Sequence, residues 1–216
     1  ACWKVAPALA AGNCVILKPA SLSPLTALKL GELATQAGLP PGVLQVLPGS
    51  GGAIGDALVT HPLIRKVSFT GSTEIGRRIM KLASDDLKRV SLELGGKSPN
   101  IVFTDADWER AAETSPLSVF ANTGQDCCAR SRLFVERGVY EPFVEKFVAA
   151  TRKLVVGDPA QAETQLGPLV SGDQRATVEE FLADARTRGS RFECGGDRPH
   201  AKGFYLAPTV LLDVGK

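Results

Sequence analysis

The sequence predicts an α/β protein in which short buried strands alternate with amphipathic helices. Three observations favour this class. Apolar runs of four to six residues recur along the chain, segments of helical periodicity stand between them, and glycine, proline or serine marks the junctions. Such alternation is typical of parallel strands joined by helical crossovers. We therefore expect a doubly wound, Rossmann-like unit followed by a second α/β unit.

The first predicted unit runs to about Gly95. In the helix predicted over residues 23–38, Ser23 is the expected N-cap, Pro24 opens the first turn and Gly38 terminates it. A glycine-rich turn leads into the next helix, which Pro62 closes. The elements predicted in order are strand 13–18, helix 23–38, strand 42–49, helix 49–62, strand 66–71, helix 72–84 and strand 89–96.

The second predicted unit follows Gly95, which places the boundary between segments 1–95 and 96–216. Its elements are strand 100–105, helix 108–122, a loop with adjacent cysteines, strand 132–136, helices 139–154 and 172–189, and strands 191–196 and 204–214. The chain begins at Ala1 without an initiator methionine and stops directly after a strand-like run. We therefore expect a piece of a longer protein in which both units are incomplete.

Composition and charge exclude several classes of function. The chain has 216 residues, 44% of them hydrophobic and 22% charged, with a net charge of +2. That length suffices for one large core or two smaller ones. Because the charges are interspersed, neither nucleic acid nor a membrane surface is indicated as a partner. No apolar run reaches the length of about 18 residues that marks a membrane span.

The five cysteines are odd in number and irregularly spaced, which argues against a secreted disulfide framework. This pattern predicts a reducing compartment, and we expect the cytoplasm. A metal site is not expected, because neither of the two histidines stands in a spacing typical of zinc ligands. Adjacent Cys127 and Cys128 are also poorly placed to bridge to one another.

The ends of the strands are the places to look for a ligand, because open α/β sheets bind ligands beyond the carboxyl ends of their strands. Lys18 ends the first strand and brings an ammonium group there, although a solvated lysine would fit as well. The third strand ends in Gly71 and Ser72 and leads directly into a helix. The first N–H groups of a helix lack internal partners and can bind phosphate.

A second glycine-rich turn, with Gly49, Gly51 and Gly55, leads into the helix predicted over residues 49–62 of the same unit. The segment "GSGGAIG" is not a well-formed GxGxxG motif, and such a turn can be simply a turn. Two turns of this kind in one unit indicate a nucleotide site.

Two residues are candidates for catalysis. Glu93 ends the last strand of the first unit between Leu92 and Leu94, where partial desolvation would suit a general base; a glutamate paired with lysine or arginine is the alternative. Cys127 follows a Gly-Gln-Asp turn, where backbone donors or a cation would make its thiolate a good nucleophile. A buried small hydrophobic cysteine is the alternative, and Cys128 fits that role better.

Several segments together resemble the aldehyde dehydrogenase superfamily across essentially all of the chain. The segment "LELGGKSP" (92–99) is similar to the glutamate motif of the family and "FANTGQDC" (120–127) to its cysteine motif, and the two catalytic positions, 93 and 127, are 34 positions apart. The segments "LKPASLSPLTAL", "FTGSTEIGR" and "GPLVS" resemble further stretches of the family.

The resemblance implies NAD(P)-dependent oxidation of an aldehyde to a carboxylic acid, with residues 1–95 as part of a cofactor-binding domain and 96–216 as part of a catalytic domain. Cys127 would attack the aldehyde carbon, hydride would pass to the nicotinamide, and Glu93 would activate water to hydrolyse the thioester. The Cys127 backbone N–H would be one oxyanion donor. The resemblance also implies a homodimer or homotetramer, and it places the second oxyanion donor and a nicotinamide contact outside residues 1–216.

The cofactor residues implied by the resemblance are Lys18, for the adenosine ribose, and Ser21, Gly51, Gly71, Ser72 and Leu94. Members that prefer NAD often carry a glutamate at the position of Ser21. A carboxylate there would repel a 2′-phosphate, whereas serine could donate to it. This predicts that NADP is accepted, alongside NAD.

Three further expectations complete the sequence reading. Asp126 precedes the nucleophile and could favour a cationic aminoaldehyde, or it could simply point to the surface. The alternative to an enzyme is a catalytically inert nucleotide-binding piece. A cysteine hydrolase would need a histidine beside the cysteine, and neither His61, at a helix end, nor His200, in a polar loop, is well placed for that role.

Overall fold

The computed structural model describes residues 1–214 and confirms the predicted α/β class. The chain forms two compact units, Ala1–Gly95 and Gly96–Lys216. Among the described residues, no helix has both the length and the apolar character needed to cross a bilayer.

The first unit contains two parallel strand pairs, each joined by a helix. Its elements are α1 (Cys2–Ala10), β1 (Val15–Leu17), α2 (Leu25–Gln36), β2 (Leu44–Val46), α3 (Gly51–Thr60), β3 (Lys66–Thr70), α4 (Thr73–Ser84) and β4 (Arg89–Glu93). Strand β1 pairs with β2, and β3 pairs with β4 over five residues. Because α2 and α4 each connect two parallel partners, both segments are βαβ units.

The second unit begins with another βαβ segment and ends in an antiparallel pair. Its elements are β5 (Pro99–Val102), α5 (Trp108–Phe120), β6 (Arg132–Val135), α6 (Tyr140–Arg152), α7 (Gly172–Thr187), β7 (Arg191–Cys194) and β8 (Val210–Leu212). Strands β5 and β6 are parallel, and β7 and β8 are antiparallel. A short 3-10 turn, Ala121–Gly124, connects α5 to the cysteine loop.

Each unit has a core of its own. In the first, α3 and α4 bury Val59, Ile79 and Ala83 against the β3–β4 pair. The second unit has two clusters, which consist of Val102, Ala112, Phe143 and Phe147 and of Leu169, Leu182 and Leu206. Burial of apolar surface on this scale is the main favourable term for each unit.

Serine hydroxyls and a glycine mark several helix ends. The hydroxyl of Ser50 accepts a hydrogen bond from the Ala53 N–H, and that of Ser72 accepts one from Ile75. Gly38 terminates α2 as predicted: its φ is +88°, its N–H donates to the Thr35 carbonyl, and the next N–H donates to Ala34. This is the Schellman arrangement, which requires the left-handed backbone that glycine tolerates.

The expectation that Ser23 caps α2 is wrong. Pro24 occupies the N-cap position, and no side chain caps this helix end. The Ser23 N–H instead donates to the Ala20 carbonyl, so that residues 20–23 form a turn. Proline lacks an N–H group of its own, and this removes one donor that a cap would otherwise satisfy.

Two further segments differ from the prediction. Helix α1 was not predicted, because Pro7 lies inside it and an internal proline is usually read as a helix break. The strand predicted over 204–214 pairs only over Val210–Leu212. Pro208 cannot donate to a strand ladder, and the Phe204 carbonyl accepts its hydrogen bond from the Leu169 N–H outside any strand.

Two glycines with the same backbone conformation give a matched test of steric crowding. Gly195 has a φ of +75°, and a Cβ there would lie 2.1 Å from the Pro208 carbonyl oxygen, whereas Gly189 has a φ of +76° and nothing within 4 Å. We expect Gly189→Ala to lower the free energy of unfolding by about 1 kcal/mol, which is the cost of the left-handed conformation alone. Gly195→Ala should lower it by about 3 kcal/mol or more, because backbone must also move.

Urea unfolding followed by far-ultraviolet circular dichroism measures both substitutions. Equal shifts of the two midpoints would show that Pro208 gives way freely and would contradict this reading of the β7–β8 connection.

Candidate active site

Lys18 and Ser21 meet at one backbone oxygen in the first unit. The Lys18 ammonium donates to the carbonyl oxygens of Pro19 at 2.7 Å and Gly49 at 3.2 Å. The Ser21 hydroxyl donates to the same Gly49 oxygen at 3.2 Å. Lys18 is therefore half-buried and held by hydrogen bonds, so it is not the freely solvated lysine of the alternative interpretation.

Gly51 is the first residue of α3 and lies two residues after Gly49, whose carbonyl oxygen Lys18 and Ser21 share. The Ser50 hydroxyl satisfies the Ala53 N–H at 3.2 Å. The N–H groups of Gly51 and Gly52 lie in the first turn, where a helix offers them no partner. An ammonium, a hydroxyl and free amide donors thus lie close together, a donor set suited to ribose hydroxyls and to phosphate oxygens.

The second glycine-rich turn, Gly71 and Ser72, leads into α4. The Ser72 hydroxyl accepts from the Ile75 N–H at 3.3 Å, and the Gly71 N–H donates to the Glu93 carbonyl oxygen at 3.1 Å. A Cβ on Gly71 would lie 2.4 Å from the Phe69 ring, so the absence of a side chain here makes room for that ring. The turn leaves the first N–H groups of α4 exposed at the end of β3.

Leu94 packs on the face of α4. A Cβ on Gly76 would lie 2.9 Å from a Leu94 methyl group and 3.5 Å from one of Leu92. The two leucines that flank Glu93 in the sequence therefore cover the helix together.

The predicted desolvation of Glu93 by its neighbours is wrong for this unit. The Glu93 side chain is exposed. Successive side chains of a strand point to opposite faces, so Leu92 and Leu94 turn toward Gly76 while Glu93 turns away from it. Glu93 lies in the first unit and Cys127 in the second.

Cys127 lies in a turn after an unusual stretch of backbone. Asn122, Thr123 and Gly124 have φ values of 52°, 59° and 72°. Residues other than glycine pay about 1–2 kcal/mol each for this left-handed conformation. Backbone of this kind persists only where surrounding contacts hold it, and it is common at functional sites.

Four side-chain hydrogen bonds hold the loop. Asn122 donates to the Gln125 carbonyl at 3.0 Å, and the Gln125 amide donates back to Asn122 at 3.3 Å. The Thr123 hydroxyl donates to the Gly167 carbonyl at 3.1 Å, and the Gln125 side-chain oxygen accepts from the Val170 N–H at 3.0 Å. Gly167 and Val170 belong to the "GPLVS" segment, so two motifs that are far apart in sequence are joined here.

Both motifs are visible in the sequence, but neither Thr123 nor Gln125 was predicted to have a role. The only sequence signal for these two residues was that they are polar, flank Gly124 and stand near a cysteine. The residues that hold the loop are therefore an addition from the structure.

Cys127, Cys128 and Asp126 are exposed and close together. The two sulfur atoms lie 3.7 Å apart, and the Cys128 N–H donates to an Asp126 carboxylate oxygen at 3.1 Å. The hydrogen bond with Cys128, together with its nearby charge, raises the pKa of the Cys127 thiol above its ordinary value, and the Asp126 carboxylate adds to this effect. A raised pKa favours the thiol over the thiolate.

Gly96 lies against the cysteine loop. A Cβ on this residue would stand 3.2 Å from the Cys127 carbonyl oxygen. Gly96 in the glutamate motif thus allows its backbone to pass close to that of Cys127.

Neither histidine is joined to a cysteine by a hydrogen bond among the described residues. The His200 Nε2 atom is 3.0 Å from the Val156 carbonyl oxygen, and the His61 Nδ1 atom accepts from the Leu63 N–H at 3.2 Å. The Asp126 carboxylate accepts a hydrogen bond from the Cys128 N–H, so it has a structural contact within the loop itself.

Comparison with known proteins decides the family. The sequence profile described as "Aldehyde dehydrogenase family" matches residues 1–216. The chain belongs to the aldehyde dehydrogenase family. Succinate-semialdehyde dehydrogenase [NADP(+)] GabD of Escherichia coli (strain K12) is 50% identical over 211 residues, which is 98% of this chain and 44% of that protein. Glutarate-semialdehyde dehydrogenase of Pseudomonas aeruginosa is 49% identical over 99% of this chain and 44% of its own length.

Solved structures of aldehyde dehydrogenases share the fold. A crystal structure described as an E. coli NADP-dependent enzyme matches with a TM-score of 0.95 at 50% identity, covering 98% of this chain and 44% of that one. A Pseudomonas syringae aldehyde dehydrogenase C mutant in complex with NAD+ and octanal matches with a TM-score of 0.94 at 40% identity, covering 98% and 44%. The chain thus spans less than half the length of these relatives.

Proposed function

We propose that this chain is the part of an NAD(P)-dependent aldehyde dehydrogenase that carries its nucleophile, Cys127, and its general base, Glu93. The observation that carries the proposal is the exposed Cys127 thiol on a loop of left-handed backbone, held by Thr123 and Gln125. Fixed geometry of this kind is what a nucleophile needs to meet a bound carbonyl carbon.

The proposed chemistry follows from the residues. The Cys127 thiol gives its proton to water, and its sulfur then adds to the aldehyde carbon to give the thiohemiacetal oxyanion. A nicotinamide cofactor, when bound, would supply the hydride acceptor needed to take this carbon to the thioester level. Glu93 removes a proton from the water that attacks the thioester, and the acid leaves as the Cys127 sulfur is released. The exposure of Glu93 in its unit gives water access to its carboxylate.

The oxyanion of the thiohemiacetal needs a hydrogen-bond donor. Among the hydrogen bonds found in residues 1–214, the turn uses the N–H groups of Cys128 and Ala129 but not that of Cys127. That free N–H group supports its assignment as an oxyanion donor, since preorganised backbone donors are the usual means of stabilising such charge.

The donor set in the first unit fits a dinucleotide. Lys18 and Ser21 stand beside the first turn of α3, where we assign them, with Gly51, to the adenosine ribose and its neighbouring phosphate. Gly71 and Ser72 open the corresponding helix α4, and Leu94 packs beside its first turns. We assign these three to the remaining cofactor surface.

Trapping of the acyl-enzyme tests the proposal directly. We expect Glu93→Gln to accumulate a covalent acyl group on Cys127 when the protein is mixed with an aldehyde and NAD(P)+, because thioester formation does not need this base but hydrolysis does. Mass spectrometry after acid quenching measures the acylated fraction of the Cys127 peptide.

The control is the unaltered protein, which should turn over and show a smaller acylated fraction. If neither protein is acylated although both bind the cofactor, the chain is the inert nucleotide-binding piece that the sequence reading left open. An acyl group on Cys128 or Cys14 instead would contradict the assignment of the nucleophile.

Cofactor choice is a second test, because Ser21 stands where a carboxylate would repel a 2′-phosphate. We expect Ser21→Glu to raise the Michaelis constant for NADP by roughly tenfold, the effect of about 1.4 kcal/mol of repulsion, while that for NAD changes little. Steady-state kinetics with both cofactors measures this ratio. An unchanged ratio would remove Ser21 from cofactor selection.

We further propose that the intact enzyme is a cytoplasmic homodimer or homotetramer that acts on a small-molecule aldehyde. All five cysteines are free, in accord with a reducing compartment. Recovery of the protein from a secreted fraction would contradict the location, and a monomer mass by light scattering would contradict the assembly.

A further inference from the structure

Three potential ligand atoms lie together at the tip of the cysteine loop. The sulfur atoms of Cys127 and Cys128 and a carboxylate oxygen of Asp126 all lie within 4.8 Å of one another, on exposed side chains. Among the described residues, this is the only cluster of histidine, cysteine or acidic side chains with that compactness. It combines two soft sulfur ligands with one hard oxygen ligand.

The separation of the two sulfur atoms distinguishes between two kinds of chemistry. A disulfide needs about 2.05 Å between its sulfur atoms. Two thiolates on one tetrahedral zinc ion, each about 2.3 Å from the metal, lie about 3.8 Å apart. The observed separation is 3.7 Å. The separation of the sulfur atoms therefore matches that of two ligands of a shared cation.

The surrounding contacts fix this arrangement. The Cys128 N–H donates to one carboxylate oxygen of Asp126 at 3.1 Å and leaves the other oxygen available. Hydrogen bonds to a ligating carboxylate orient it and strengthen a metal site. The Gln125 side chain, one residue earlier, is bound to the Val170 N–H and holds the base of the loop.

We propose that Asp126, Cys127 and Cys128 form a binding site for one thiophilic divalent cation such as Zn²⁺ or Cd²⁺. On binding, each thiol releases its proton to water, so two thiolates and one carboxylate hold the ion with a summed ligand charge of −3 against +2. A tetrahedral ion keeps a fourth position for water. In this site, both sulfur atoms would be bound to the ion.

Occupation of Cys127 by the ion would block its addition to a carbonyl carbon. This consequence rests on the proposed function, whereas binding of the ion does not. Free metal would then act as a reversible inhibitor that a chelator removes.

Titration of the reduced protein with Cd²⁺ tests the site, because each cadmium–thiolate bond adds ultraviolet charge-transfer absorbance. We expect one equivalent of ion with the absorbance of two thiolates in the unaltered protein. Cys128→Ala should leave the absorbance of one thiolate and weaken binding by roughly tenfold or more, and Asp126→Asn should weaken it without loss of absorbance. Cys14→Ala, which removes another exposed cysteine, is the matched control and should bind as the unaltered protein does.

Three outcomes would overturn the proposal: no two-thiolate absorbance in the unaltered protein, unchanged binding in both Cys127→Ala and Cys128→Ala, or equal loss of binding in Cys14→Ala. Because the readout is absorbance and not turnover, a protein that binds Cd²⁺ as expected but oxidises no aldehyde would support the metal site while contradicting the proposed function. A protein that oxidises aldehydes but gives no two-thiolate absorbance would support the proposed function and contradict the metal site.

Discussion

Replacing Cys127 by serine is expected to lower NAD(P)-dependent aldehyde oxidation by roughly 10³-fold or more. A serine hydroxyl is a far weaker nucleophile than a thiolate unless a base activates it. Among the described residues, the Cys127 side chain has its hydrogen-bond contact with Cys128, and no histidine is bound to it. The initial rate of NAD(P)H formation measures the loss, and circular dichroism confirms that the variant is folded.

Cys14→Ser is the matched control, since Cys14 is likewise exposed but lies in the first unit. It should retain most of the activity of the unaltered protein. The pH dependence gives an independent readout: because the pKa of Cys127 is raised, its alkylation by iodoacetamide should accelerate as the pH rises through and beyond the ordinary thiol range. Residual turnover in Cys127→Ser within tenfold of the unaltered protein would contradict the role of this cysteine.

Phe143→Ala is expected to lower the free energy of unfolding of the second unit by about 3–5 kcal/mol. Phe143 is 1% exposed and packs in a cluster with Val102, Ala112 and Phe147. Its ring stacks on that of Phe147, with the ring centroids 5.9 Å apart. The substitution removes this ring and leaves a cavity that a close-packed core fills only in part. Urea unfolding followed by near-ultraviolet and far-ultraviolet circular dichroism measures the change.

Phe181→Ala provides the control for the same chemical change, because Phe181 is 71% exposed on α7. It should alter the free energy of unfolding by no more than about 0.5 kcal/mol. A similar loss in both variants would mean that Phe143 does not lie in the main core of its unit.

Much of the fold could be predicted because local signals and the final structure agree. Alternating apolar runs gave the parallel pairs, and Gly38 and Ser72 mark helix ends by conformations and hydrogen bonds that depend on neighbouring residues alone. Ser23 and Pro7 show the limit of such signals. At these positions, a turn and a tolerated helical proline prevail over the usual preference.

The candidate site was predictable by residue type but not by environment. The motif around Cys127 identified its loop, yet the bonds from Thr123 and Gln125 reach residues 44 and 45 positions later, which no local pattern reveals. Glu93 illustrates the opposite error. The leucines beside it in the sequence predicted a desolvated carboxylate. The Glu93 side chain is exposed instead, because the pleat of a strand directs adjacent side chains to opposite faces.

The distant anchoring of the cysteine loop also sets an order of events during biosynthesis. Cys127 leaves the ribosome well before Val170, whose N–H group is the anchor for Gln125, 45 positions earlier. Closing so long a segment costs entropy that local contacts at Asn122 and Thr123 do not offset, since their left-handed backbone is itself unfavourable. We therefore expect the cysteine segment of the nascent chain to adopt its observed geometry only after the later segment has been synthesised and has docked.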